Sequence, residues 1–159
     1  MRGEQDVVLS VNGHDRKVRV TAPETLLQTL RALGLTSVRE TCGIGICGTC
    51  TVLREGRAIS SCLALTAMQE GRPIVTSEAF DDGSGELDEV ARAFRDRSAF
   101  QCSYCIPAMV LTVRAYLDES EDPTPEEARE VLAGNLCRCG TYPQILEAVA
   151  DLVARRSDR

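Results

Sequence analysis

The pattern of apolar residues along the first 80 positions predicts short strands and one helix. Residues 7–11 and 16–20 flank Asn12-Gly13, a pair that supplies the positive φ angles of a tight hairpin turn. Residues 51–60 repeat this arrangement around Glu55-Gly56, and residues 73–76 predict a last strand. Between the hairpins, three leucines share one face of a helix predicted over 25–33. The first half is therefore expected to be a small mixed sheet that carries one helix.

The second half changes to helical spacing. Thr124-Pro125 is a strong helix start, with a capping residue before a proline in the first turn. Residues 81–85 are polar and turn-rich, which is typical of a boundary. We therefore predict an α+β protein with a first domain over 1–80, a linker over 81–86 and a helical bundle over 87–159. Three helical repeats support the bundle: Leu87, Val90, Ala91 and Phe94; Ile106, Met109, Val110, Val113 and Leu117; and Ile145, Ala148, Val149, Leu152 and Val153.

Charge and composition narrow the classes of partner. The net charge is −6, which argues against nucleic acid, because a phosphate backbone is met by Lys and Arg. The acidic excess lies in the second half and is expected to be a solvated surface. Residues 1–6 are charged, so we expect no secretory signal, and no apolar run is long enough for membrane insertion. We therefore expect a cytoplasmic protein, in which clustered cysteines are more often metal ligands than disulfides.

The first four of the eight cysteines have the spacing of a plant-type ferredoxin. Three of them lie on one loop as Cys-x4-Cys-x2-Cys, and the fourth follows after eleven intervening residues. A [2Fe–2S] cluster on four thiolates is an anion that needs backbone N–H donors near its sulfurs. Glycines let such a loop approach the cluster without side-chain clashes. The predicted ligands are Cys42, Cys47, Cys50 and Cys62, and the predicted loop glycines are Gly43, Gly45 and Gly48.

The remaining cysteines form a second, less specific set. Cys102 and Cys105 are a Cys-x2-Cys pair, and Cys137 and Cys139 are a Cys-x-Cys pair. A Cys-x2-Cys pair is also compatible with a redox dithiol or half of a zinc site. Both pairs, however, directly precede predicted helices, where the helix dipole and free N–H groups favour an anion. We therefore predict a second [2Fe–2S] cluster on these four thiolates.

With both sets in view, the chain resembles the small iron–sulfur subunit of the xanthine oxidase family of molybdenum hydroxylases. The resemblance is carried by residues 41–52, 100–107 and 134–139 and covers nearly the whole chain. It implies a β-grasp ferredoxin-like domain followed by a four-helix [2Fe–2S]-binding domain.

The resemblance also implies an electron-transfer subunit with no catalytic residues of its own. Electrons would pass from a molybdenum–pterin cofactor on a large subunit through two [2Fe–2S] clusters to FAD on a medium subunit, or to another acceptor. The subunits would form a dimer of heterotrimers. Gln101 and Cys139 match positions that approach the pterin in this family; the alternatives are a surface glutamine and an ordinary cluster ligand.

Three departures from the family pattern leave the acceptor open. Ser103 and Ala108 stand where glycine is common, and Gly140-Thr141 inverts a common Thr-Gly pair. We expect the added β-carbons to reshape the surface that docks on the molybdenum subunit. Two alternatives remain: a stand-alone two-cluster ferredoxin-like carrier, and a zinc-stabilised structural module.

Overall fold

The computed structural model describes residues 3–81 and 83–157. Its sheet has the strand order β2-β1-β5-β3-β4. Only β1 and β5 pair in parallel, while the other neighbours are antiparallel. The sheet is thus mixed, as the sequence predicts. The strands are β1 (Glu4–Val11), β2 (His14–Thr21), β3 (Thr51–Arg54), β4 (Arg57–Ser60) and β5 (Ile74–Val75).

Both predicted hairpins are confirmed. β1 and β2 meet across Asn12-Gly13, whose φ angles are 52° and 77°. β3 and β4 meet across Glu55-Gly56 with φ angles of 53° and 82°. Positive φ at both central residues gives the turn twist that suits a two-residue hairpin.

The last strand is shorter than the four residues that the sequence predicts. β5 spans Ile74–Val75, because the residues on either side of it do not continue the hydrogen bonds between strands. Pro73 lacks the N–H that a ladder needs. The N–H of Thr76 donates to the side-chain oxygen of Asn12 at 2.8 Å rather than to the backbone of a neighbouring strand.

Helix α1 (Leu26–Ala32) begins where the sequence predicts. Thr25 and Gln28 form a reciprocal capping box, which satisfies two N–H groups of the first turn. The buried face of the helix packs with the sheet in a core that includes Leu9, Val20, Leu26, Leu30 and Val52.

In the part of the second half that the structure describes there are four α-helices: α2 (Glu89–Asp96), α3 (Ile106–Glu119), α4 (Pro125–Leu132) and α5 (Tyr142–Ser157). Their core is a second cluster of buried side chains around Phe94, Met109 and Ile145. Within the described ranges, no helix combines the length and the apolarity that crossing a membrane requires.

Helix α3 joins the two halves. Leu111 and Ala115 of α3 pack on Leu53 of β3, with Val75 and Phe80 at the edge of this contact. A helix that packs against neighbours on two sides needs apolar residues on both. This explains why the buried residues of α3 lie on more than one face of the helix. The predicted boundary at 81–86 stays a prediction, and its residue Asp82 lies outside the described residues.

Candidate metal centres

The first four cysteines converge at one end of the sheet. Cys42, Cys47 and Cys50 lie on the loop between α1 and β3, and Cys62 follows β4 by two residues. The thiols of Cys42 and Cys47 contact each other, as do those of Cys50 and Cys62. Cys42 and Cys62 also lie close enough for their charges to interact. All eight cysteines are free thiols.

The loop backbone directs N–H groups at the sulfurs of this set. The N–H groups of Ile44, Cys47 and Ile46 lower the pKa of the Cys42 thiol to about 6. Burial raises the pKa of the Cys62 thiol to about 11, although it too receives a backbone N–H, that of Gly45. Consecutive backbone N–H groups that converge in this way form an anion-binding concavity. The loop is therefore built for a negatively charged group.

The three loop glycines have positive φ angles of 65°, 75° and 67° at Gly43, Gly45 and Gly48, but different surroundings. A β-carbon at Gly43 would meet open space, and one at Gly45 would overlap the flexible side chain of Leu63. A β-carbon at Gly48 would overlap the carbonyl oxygen of Gly134 and lie 2.8 Å from Nδ2 of Asn135. Gly48 is therefore constrained by the helical half as well as by its own φ angle.

The second four cysteines converge at two helix starts. Cys105 is the N-cap of α3, and Cys137 and Cys139 lie just before α5. The thiols of Cys105 and Cys137 contact each other, as do those of Cys102 and Cys139. The helix positions of both pairs agree with the sequence prediction.

Surroundings differ among these thiols too. Burial raises the pKa of Cys105 to about 12. Burial also opposes ionisation of Cys137, but the hydroxyl and N–H of Thr141, the Cys105 thiol and the N–H of Gly140 outweigh it and lower the pKa to about 7. The N–H of Tyr104 is the main cause that lowers the pKa of Cys102. Donors thus converge on the second set as on the first.

Each set consists of two contacting thiol pairs, and this arrangement fits a [2Fe–2S] cluster. Such a cluster takes two thiolates on each of two irons. A structural zinc ion instead needs its ligands around one point. Among residues 3–81 and 83–157, no group of three or more His, Cys, Asp or Glu side chains is arranged to hold a single metal ion.

Comparison with known proteins agrees with this fit. A family described as "2Fe-2S iron-sulfur cluster binding domain" matches residues 9–78, and one described as "[2Fe-2S] binding domain" matches residues 76–150. The nicotinate dehydrogenase small FeS subunit of Eubacterium barkeri is 40% identical over 149 residues, which cover 92% of this chain and 94% of the relative. The xanthine dehydrogenase iron–sulfur-binding subunit of Escherichia coli O157:H7 is 40% identical over 144 residues, which cover 89% and 90%.

Comparison with solved structures agrees with the sequence comparison. The crystal structure of quinoline 2-oxidoreductase from Pseudomonas putida 86 contains a chain with a TM-score of 0.89 and 36% identity, and the match covers 98% of this chain and 99% of that one. This chain belongs to the small iron–sulfur subunits of the molybdenum hydroxylase family. Within an oxidoreductase complex such a subunit carries iron–sulfur clusters and no substrate site. The predicted fold, a ferredoxin-like domain before a helical [2Fe–2S]-binding domain, is confirmed.

The small iron–sulfur subunit holds its two cysteine loops together by backbone and side-chain hydrogen bonds. The N–H of Leu136 donates to the carbonyl oxygen of Cys47 at 2.9 Å. Buried Asn135 donates to the carbonyl oxygen of Gly48 at 3.0 Å and accepts from the hydroxyl of Thr112 at 3.1 Å. Sequence reasoning missed Asn135, whose only signal is that it stands two residues before a cysteine in the second motif.

Replacing Asn135 with leucine should lower the free energy of unfolding of the small subunit by about 2 kcal/mol, because buried polar partners are left without hydrogen bonds. Anaerobic urea denaturation of the cluster-loaded chain measures this. The control is Gln144→Ala at an exposed position of α5, which should change little. An Asn135→Leu variant as stable as the control would contradict a structural role for the amide.

The residues that depart from the family pattern fall in three different environments. Ser103 is exposed and has a φ of 61°, a conformation that favours glycine. Ala108 is only 2% exposed, inside α3. Its β-carbon is therefore buried in this chain, and its effect on a docking surface stays a prediction. Gly140 has a φ of 77°, so glycine suits this position of the inverted pair.

The two residues predicted to approach a pterin lie together at the surface. Nε2 of Gln101 is 3.5 Å from the carbonyl oxygen of Cys139. Gln101 is exposed and Cys139 is half-buried. They thus form one face beside the second cysteine set, and their contact with a pterin stays a prediction.

Proposed function

We propose that this chain is the electron-transfer subunit of a molybdenum-containing hydroxylase or dehydrogenase. It relays electrons one at a time from a molybdenum–pterin centre on a larger subunit to FAD or another acceptor on a further partner. A bound [2Fe–2S] cluster supplies a one-electron carrier whose potential depends on hydrogen bonds and solvent exposure. The chain would hold one cluster on Cys42, Cys47, Cys50 and Cys62, and the other on Cys102, Cys105, Cys137 and Cys139.

The hydrogen bond between the two cysteine loops carries this proposal. It joins the carbonyl of Cys47 directly to the N–H of Leu136, the residue before Cys137. Electron transfer falls steeply with distance and is faster through bonds and hydrogen bonds than through space. A short backbone link between two cluster loops therefore supports a relay, which a pair of independent structural metal sites would not need.

The second cysteine set supports docking on the molybdenum subunit. Gln101 and Cys139 lie side by side at the surface, and exposed Phe100 and Leu136 are near them along the chain. Exposed apolar side chains beside polar groups mark an interaction site. We assign this face to the molybdenum–pterin centre, with Gln101 as a hydrogen-bonding group toward the pterin.

The first cysteine set supports docking on the electron acceptor. Ile44, Ile46 and Leu63 around its loop are 63%, 62% and 64% exposed, and Met68 is 68% exposed. Apolar side chains this exposed are unfavourable in water, so a partner surface that covers them would gain stability. We assign this second face to the acceptor subunit, in a dimer of heterotrimers that functions in the cytoplasm.

Substrate oxidation belongs to the partner in this proposal. The named relatives are subunits of enzymes for nicotinate, xanthine and quinoline. By analogy, a heterocycle or an aldehyde is the substrate class of the complex. The contribution of this chain is to bind the clusters, orient them and exclude water from them.

Anaerobic purification of the chain with its native partners tests the proposal. We expect a molybdenum-bearing large subunit, FAD or another acceptor, and two distinct [2Fe–2S] EPR signals on reduction. A lone chain that reduces soluble acceptors would instead support the stand-alone carrier. A colourless protein that contains zinc and no acid-labile sulfide would refute both electron-transfer proposals.

A further inference from the structure

The hydroxyl of Thr141 lies against a sulfur of the second cysteine set. Thr141 is only 3% exposed, and its Oγ1 is 3.3 Å from Sγ of Cys137. The backbone N–H groups of Thr141 and Gly140 are also close enough to this sulfur to help lower the pKa of the Cys137 thiol. A buried hydroxyl thus lies within hydrogen-bond distance of one predicted ligand.

The glycine before Thr141 allows this contact. Gly140 has a φ of 77°, and its N–H is 3.3 Å from the carbonyl oxygen of Cys137. This turn brings the chain back over Cys137 before α5 begins at Tyr142. The order Gly-Thr therefore places the threonine, rather than the glycine, next to the sulfur.

The loop has a separate anchor that does not need the threonine hydroxyl. The hydroxyl of Tyr142 accepts the N–H of Cys137 at 2.9 Å and donates to the carbonyl oxygen of Asn135 at 2.8 Å. These two bonds fix the backbone on both sides of Leu136. The Thr141 hydroxyl is thus free to act on the sulfur without being required for the shape of the loop.

We propose that Thr141 is a positioning residue that raises the reduction potential of the second cluster by donating a hydrogen bond to Cys137 Sγ. This inference rests on the proposed function, because it takes Cys137 as a cluster ligand. A metal-bound thiolate has no proton, so the hydroxyl must donate. One-electron reduction adds a negative charge without moving the hydroxyl proton, and a donor to sulfur stabilises the more negative state.

The first cysteine set offers a weaker counterpart. Oγ1 of Thr49 lies 3.2 Å from Sγ of Cys47, but also 2.9 Å from Oγ1 of Thr41 and 3.4 Å from the carbonyl oxygen of Arg39. A hydroxyl has one proton, and the carbonyl oxygen of Arg39 competes with Cys47 Sγ for it. The potential of the first cluster therefore depends less on Thr49 than that of the second depends on Thr141.

An EPR-monitored redox titration of the complete cluster-loaded chain tests the inference. At fixed ambient potential, Thr141→Val should lower the ratio of reduced to oxidised second cluster about tenfold, which corresponds to about 59 mV for a one-electron couple. Thr141→Ser keeps the hydroxyl and should restore the wild-type ratio. The control is Thr124→Val, which removes a hydroxyl that caps α4 and should leave both clusters unchanged.

Three results of the titration itself would overturn the inference. They are an unchanged ratio in Thr141→Val, an equal shift in Thr141→Ser, and an equal shift in Thr124→Val. Thr141→Ala is the second variant, and it should lower the same ratio of reduced to oxidised second cluster. Loss of the second EPR signal in both Thr141→Val and Thr141→Ala would mean that the hydroxyl is needed for cluster assembly, and would refute a role in the potential. If the wild-type chain itself lacks a second [2Fe–2S] signal, the proposed function fails instead.

Discussion

Cys105→Ala is expected to remove about half of the bound iron and one of the two EPR signals of the reduced chain. Cys105 is 6% exposed and contacts Cys137, so its loss leaves one iron of the second cluster with a single thiolate. Water then binds at the open coordination position of this iron in place of a thiolate, and the cluster is lost. Alanine is nearly as small and apolar as cysteine, so the helical core should remain packed.

The matched variant is Cys62→Ala in the first set. Cys62 is 7% exposed and contacts Cys50, so this variant should lose the other signal and keep the second. Iron and acid-labile sulfide analysis of both variants, together with EPR after dithionite reduction, measures the outcome. If either variant kept both signals, or if one substitution removed both clusters, the division of the cysteines into two independent sets would be wrong.

Much of the fold follows from local sequence signals. The hairpin turn at Asn12-Gly13 and the capping box at Thr25 and Gln28 are short-range patterns, and both occur as predicted. Three of the four helices of the second half follow from apolar spacing over more than one turn, and α4 follows from the start signal at Thr124-Pro125. Such signals depend on residues within a few positions of each other, which a sequence displays directly.

The parts that sequence reasoning missed depend on contacts between distant segments. Asn135 binds Gly48 across 87 positions, and nothing near either residue indicates the other. β5 ends before Thr76 because the N–H of Thr76 donates to the side chain of Asn12 instead of to a strand. Ala108 stands where the family commonly has glycine, and its burial inside α3 cannot be read from the neighbouring residues. Long-range packing determines all three, and the predicted cysteine ligands await the spectroscopic test above.

Gly48→Ala is expected to damage the junction between the two cysteine loops more than any other glycine substitution in the first loop. The new β-carbon would overlap the carbonyl oxygen of Gly134 and come within 3.0 Å of Cα of Asn135. These are backbone atoms and a buried amide, so the loops must separate. Strain at a φ of 67° and overpacking together should lower the free energy of unfolding by about 3 kcal/mol.

Gly43→Ala separates the cost of the backbone from the cost of the junction. Gly43 has a similar φ of 65°, but a β-carbon there meets nothing within 4 Å. This variant should lose only about 1 kcal/mol and keep the bond between Leu136 and Cys47. In Gly48→Ala that bond should lengthen, so the magnetic interaction between the two reduced clusters should weaken in EPR spectra. Equal stability losses and equal interactions in both variants would mean that the loops are not coupled at Gly48, and the short link that supports a relay would lose its structural basis.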